Sequence, residues 1–117
     1  MEDKIEIADE FIRKALATGK KYCFLIYKVG PNTNYSKEEV DKMQWEHLRY
    51  MFRLHAEGKL LLNGPVTDSP ELNAIGIFNS TDKDEVKRWM DEDPNVKSGR
   101  RTYELYTYFG IPGDGLL

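Results

Sequence analysis

The sequence holds one cysteine, Cys23, and two histidines, His47 and His55, in 117 residues. A lone thiol forms no internal disulfide, and without a CxxC pair there is no basis for a zinc ribbon or a redox couple. No run approaches the ~20 apolar residues of a membrane span. The first residues, Met-Glu-Asp-Lys-Ile-Glu, are acidic and lack the apolar core of a signal peptide. No glycine-rich phosphate loop or dinucleotide fingerprint is present. Positive charge is not in excess either, since 17 Lys and Arg face 20 Asp and Glu for a net charge of −3. A dedicated nucleic-acid binder carries a basic footprint, so that class is disfavoured. These absences lead to a cytoplasmic chain with no membrane or nucleic-acid partner and no cofactor or metal.

What the sequence does have is apolar and aromatic surface. Hydrophobic residues make up 40% of it, too many for a disordered chain. Its two Trp, seven Tyr and five Phe form 12% of the residues. A single domain of this length buries roughly two-thirds of its unfolded surface. So many rings point to a further surface that a second subunit would cover.

Residues 3–18 read as an amphipathic helix, with Asp3 and Glu6 at capping-box spacing and Gly19 as the stop. Ile5, Ala8, Phe11, Ile12, Ala15 and Leu16 form its apolar stripe, and the helix is expected to pack on the main body. Residues 22–29 read as a strand covered on both faces. Ser36 and Glu39 form a second capping box, opening a long helix that Gly58 ends. On it Val40, Met43, His47, Tyr50, Met51 and Leu54 share an arc of about 100°, while Trp45, Leu48 and Phe52 form a separate flank. Lys59–Asn63 reads as a short strand closed by Gly64-Pro65, and Asn73–Asn79 as another. Ser80 or Thr81 caps a third helix, which ends near Asp93 because Pro94 follows. Arg101–Phe109 is the last strand.

The order after the first helix is β-α-β-β-α-β, the ferredoxin-like α+β arrangement. It implies a four-stranded antiparallel sheet with both main helices on one face. The other face, rich in rings, calls for a homodimer through the sheet. The chain divides into a helical extension (1–20), a ferredoxin-like domain (21–110) and a tail (111–117).

His47 is the first candidate for chemistry, because an imidazole can exchange protons near neutral pH. Its position alone also fits a core histidine satisfied by a hydrogen bond. Asp93 reads as the N-cap of a short turn through Pro94 to Gly99, a role compatible with orienting an imidazole. His55 lies about 80° around the helix from His47, so the two cannot readily share a metal, and it reads as a solvated helix-end residue. Cys23 reads as packing rather than as a nucleophile. Arg100 and Arg101 read as a solvated start to the last strand, with anion binding as the alternative. Gly64-Pro65 is a turn whose tight backbone could also let a ligand approach.

Together these pieces resemble the YCII-related family of small dimeric α/β-barrel proteins. The resemblance rests on His47-Leu48, on the run from Glu57 to Val66 (EGKLLLNGPV), and on Asp93-Pro94 with Gly99 after it. It covers about Tyr22 to Phe109 and omits the first helix. It implies a ferredoxin-like protomer whose sheet faces a partner's sheet. It also implies an active site built on a His-Asp pair, here His47 and Asp93. The family is similar in fold to muconolactone isomerases, and one member is associated with dehydrochlorination of an aromatic compound. Where the family often has a serine before Gly-Pro, this chain has Asn63, whose amide cannot act as a nucleophile. Asn63, Gly64 and Pro65 are then the expected substrate-binding residues. The leading expectation is a lyase or isomerase that moves a proton on a small cyclic or aromatic substrate, with His47 as general base. The alternatives are a dimer that binds a small metabolite without chemistry, and a purely structural dimer.

Overall fold

A computed structural model describes residues 4–117. The elements run α1 (Asp9–Ala17), β1 (Lys20–Val29), α2 (Lys37–Ala56), β2 (Leu60–Pro65), β3 (Leu72–Phe78), α3 (Lys83–Asp91), α4 (Pro94–Lys97) and β4 (Arg101–Gly110). The four strands form one sheet in the order β2-β3-β1-β4, with every neighbouring pair antiparallel. This is the ferredoxin-like α+β arrangement expected from the element order.

The register sorts the side chains. Cys23, Leu25 and Tyr27 of β1 point to the helical side and are buried. They pair with Phe78, Gly76 and Ala74 of β3 on one side, and Leu25 and Tyr27 with Leu105 and Tyr103 of β4 on the other. Met51 and Leu54 of α2, with Val86 and Met90 of α3, close the core against them. Phe24 and Ile26 alternate onto the opposite face beside Ile77, Ile75, Tyr106 and Glu104. Among the described residues no helix covers that face, and Tyr106 and Tyr108 are 46% and 44% exposed on it.

Helix α2 begins as its sequence dictates. Ser36 accepts the Glu39 backbone N–H, and Glu39 reaches back to the Ser36 N–H. Two orphan donors of the first turn are thereby satisfied. Glu39 is held below the usual carboxylate range, chiefly by the Ser36 backbone bond. Gly58 ends the helix at φ +76°, a backbone conformation that costs glycine little.

Several boundaries differ from the reading of the sequence, three of them with a local cause. Helix α1 starts at Asp9, behind Ala8, which makes no side-chain cap; Glu6 precedes the helix and Asp3 lies outside the described residues. Helix α3 is capped by Asp82, not Ser80 or Thr81, because its carboxylate accepts from both Asp84 and Glu85 N–H groups. Gly64 and Pro65 end strand β2 rather than follow it. Strand β2 lies at the sheet edge, so a residue without an N–H is tolerated there.

Helix α1 also does not pack on the body. None of its residues is buried, and Phe11 is 64% exposed. The ring of Phe109 fills the corner beside Gly19, where an added Cβ would lie 2.0 Å from a ring carbon. The molecule is drawn out to 56 × 37 × 24 Å with a radius of gyration of 17.6 Å. A compact chain of this length would have about 13 Å.

Candidate active site

Three elements converge under the sheet. His47 stands at the middle of α2 on its buried face. Asp93 is the N-cap of α4, followed by Pro94 at the first helical position. Tyr27 comes from β1 on the helical side of the sheet. Nδ1 of His47 lies 2.8 Å from Oδ1 of Asp93. The same oxygen accepts the Asn95 backbone N–H at 3.4 Å, and the phenol of Tyr27 donates to Oδ2. The Tyr27 ring also stacks on the imidazole, with centroids 5.3 Å apart and planes 19° from parallel.

This arrangement fixes the histidine. Asp93 is fully buried, so its carboxylate needs partners on both oxygens. Tyr27 and Asn95 supply two donors, and Nδ1–H of the imidazole is the third. In the neutral ring Nε2 then carries the lone pair. Asn73 Oδ1 is the one buried side-chain polar atom without a partner among the described residues. Among the described residues Nε2 of His47 has no hydrogen-bond partner, and it is not one of the buried atoms left unpaired, so it keeps some contact with solvent. Burial, and then the charge of Asp93, pushes the Tyr27 phenol far above its ordinary value, so it stays a donor.

A second polar cluster braces the turn that carries Asp93. Nε of Arg100 donates to Asn95 Oδ1 at 3.2 Å, and a terminal nitrogen donates to Gln44 Oε1 at 2.8 Å. Nδ2 of Asn95 donates to the same Gln44 oxygen at 3.2 Å. The turn is therefore tied to α2 one helical turn before His47. Arg100 was expected as a solvated or anion-binding residue, but it is 8% exposed and turned inward onto these amides. Arg101 is half-buried, and burial followed by the neighbouring Arg100 charge pulls its value below that of a free guanidinium.

The remaining sequence candidates lie elsewhere. Asn63, Gly64 and Pro65 sit on edge strand β2 and line an open, mainly apolar trough of about 950 Å³. Met51, Phe52, Leu61, Tyr108 and the tail from Ile111 to Leu116 form other parts of its wall. Neither His47 nor Asp93 lines it. The structure thus joins the catalytic candidates to each other but does not place them in one cavity with the substrate-binding candidates. His55 lines the trough, and its Nδ1 donates to the Leu60 carbonyl at 2.8 Å rather than standing free at the helix end. Cys23 is buried, and burial raises its thiol above the ordinary value. Among the described residues no group of three or more His, Cys, Asp or Glu is placed to hold a metal ion, and no helix is long and apolar enough to cross a membrane.

The geometry can be set beside known proteins. The YCII-related domain model matches residues 21–109. The chain belongs to that family. No curated protein matches its sequence. Among solved structures it is similar to the 5-chloro-2-hydroxyhydroquinone dehydrochlorinase of Burkholderia phenoliruptrix AC1100, solved in complex with 2,5-dihydroxybenzoquinone. The two share 25% identity and a TM-score of 0.50, over 72% of this chain and 90% of that one. The likeness points to a small enzyme of the YCII family.

Tyr27, Gln44 and Asn95 belong to the site and were not singled out from sequence. Tyr27 carried a faint signal, a phenol on the buried alternation of a strand, where its hydroxyl must find a partner. Asn95, directly after Asp-Pro, carried none.

Proposed function

We propose that this protein is a small enzyme that eliminates or isomerises by proton transfer on a small cyclic or aromatic substrate. The observation that carries the reading is the 2.8 Å contact between His47 Nδ1 and Asp93 with Nε2 left bare. Neutral His47 takes a proton at Nε2 from a substrate hydroxyl or an acidic carbon. Asp93 stabilises the imidazolium that forms. In an elimination, the electron pair released by that proton moves through the ring and a leaving group departs with its own bonding pair. The similar enzyme's name describes loss of HCl, which fits this scheme. Positioned acid–base groups contribute ~10²–10⁴-fold.

The substrate is proposed to lie against Asn63, Gly64 and Pro65, where nothing stands within 4 Å of a Cβ built on Gly64. The bare sheet face around Phe24, Ile26, Tyr106 and Tyr108 is the proposed homodimer interface. A second reading has one observation in its favour. The trough lacks both His47 and Asp93, as expected of a dimer that binds a small metabolite without chemistry.

Chloride release from chlorinated hydroxyhydroquinones separates the two. The enzyme reading expects turnover by the native chain and a loss of ~10²–10⁴-fold in folded His47→Gln. Thermal stabilisation by the same compounds with no product from the native chain would favour binding alone.

A further inference from the structure

The trough beside strand β2 holds a polar group that the proposed chemistry does not use. His55 stands in the last turn of α2, and its Nδ1 lies 2.8 Å from the Leu60 carbonyl oxygen. A carbonyl oxygen only accepts, so Nδ1 carries the proton. In the neutral ring Nε2 is then a bare acceptor, and among the described residues nothing donates to it. His55 is exposed and lines the trough. A few placed polar groups in a concave, mainly apolar site fix the orientation of what binds there.

The rest of the lining defines what fits. Leu48, Phe52, Leu61 and Tyr108 present apolar surface, and Ile111 and Leu116 of the tail add to it. The tail lies beyond residues 21–109, so that part of the wall is this chain's own and not the family domain's. Among the described residues no Lys or Arg lines the trough, so nothing there balances a carboxylate or a phosphate. Asp114 is its one acidic side chain, a second group that accepts hydrogen bonds. Apolar walls with acceptors on them complement a neutral ring that carries a hydroxyl.

We propose that the trough takes a phenol, and that Nε2 of His55 accepts the hydrogen bond from its hydroxyl. This role rests on the reading that the substrate lies in the trough, and it needs no catalysis by His47.

The test uses the native chain with its histidine ring nitrogens labelled. para-Chlorophenol and para-chloroanisole share a ring, but only the first donates a hydrogen bond. Titration with para-chlorophenol should move the Nε2 resonance of His55 and leave those of His47 in place, and para-chloroanisole should move it far less. His55→Asn supplies a second measurement. Its amide N–H can keep the bond to the Leu60 carbonyl, but no atom stands where Nε2 was. The affinity ratio of the phenol to the anisole should fall roughly 2–10-fold, the worth of one net hydrogen bond. Three results would overturn the assignment: a His55 Nε2 that does not move, equal movement with both compounds, or an unchanged ratio in folded His55→Asn. Movement at His47 Nε2 instead would also overturn it, while leaving the acid–base reading of His47 intact. Chloride release tests that acid–base reading separately, whatever His55 does.

Discussion

One oxygen of Asp93 serves two purposes: Oδ1 faces His47 Nδ1 at 2.8 Å and accepts the Asn95 backbone N–H that starts helix α4. The cap holds the carboxylate still, and the carboxylate orients the ring. The structural reading of Asp93 and the functional one are therefore the same geometry.

Replacing Asp93 with Asn separates these roles. The amide oxygen can still cap α4, so stability should fall by no more than about 2 kcal/mol through the cap. The side chain is no longer anionic and cannot stabilise an imidazolium. Chemical denaturation should find a folded protein, and the rate of proton transfer should drop by orders of magnitude, towards that of His47→Gln. An Asp93→Asn rate equal to that of the native chain would remove the carboxylate from the mechanism.

Tyr27→Phe keeps the ring stacked on His47 but removes the donor to Asp93 Oδ2. Leaving a buried carboxylate oxygen without a partner costs about 1–3 kcal/mol, measurable by urea unfolding. The substitution also changes the alkaline limb of stability. The folded-state value of Tyr27 is raised, by burial first. Its contribution is complete below the unfolded value of about 10 and declines as pH rises beyond it, because only the unfolded chain ionises. The native protein should lose stability above about pH 10 more steeply than Tyr27→Phe.

Arg100→Leu tests the brace. It leaves Asn95 Oδ1 without its Nε–H donor, while Gln44 Oε1 keeps only the Asn95 amide. The one stranded buried acceptor costs about 1–3 kcal/mol. Thermal unfolding should show the loss, and turnover should fall with it, since the brace positions the Asp93 turn against α2. A variant with unchanged stability would show that the amides find other partners.

Much of this was legible in the residues. The capping box at Ser36 and Glu39, the stop at Gly58 and the aromatic run from Tyr22 fixed α2 and β1, because each carries local chemistry. The pairing of His47 with Asp93 needed the family resemblance, since 46 residues of separation hold no distance. What escaped was set by tertiary packing. Arg100 reads as a surface residue until the Asn95 and Gln44 amides are seen to take its charge inward. The stripe of α1 announced an apolar face correctly, but nothing local says which body covers it. Asn63, Gly64 and Pro65 share a family motif with His47, yet the edge strand carries them to a different wall.

Whether His47 presents a bare Nε2 is read most directly from its tautomer. Long-range proton–nitrogen NMR correlation on histidine-labelled protein at about pH 8 reads both ring nitrogens. With only two histidines, His47→Gln assigns the signals. The expected result is a protonated Nδ1 and an unprotonated Nε2 for His47. A proton on Nε2 in the neutral ring would contradict it.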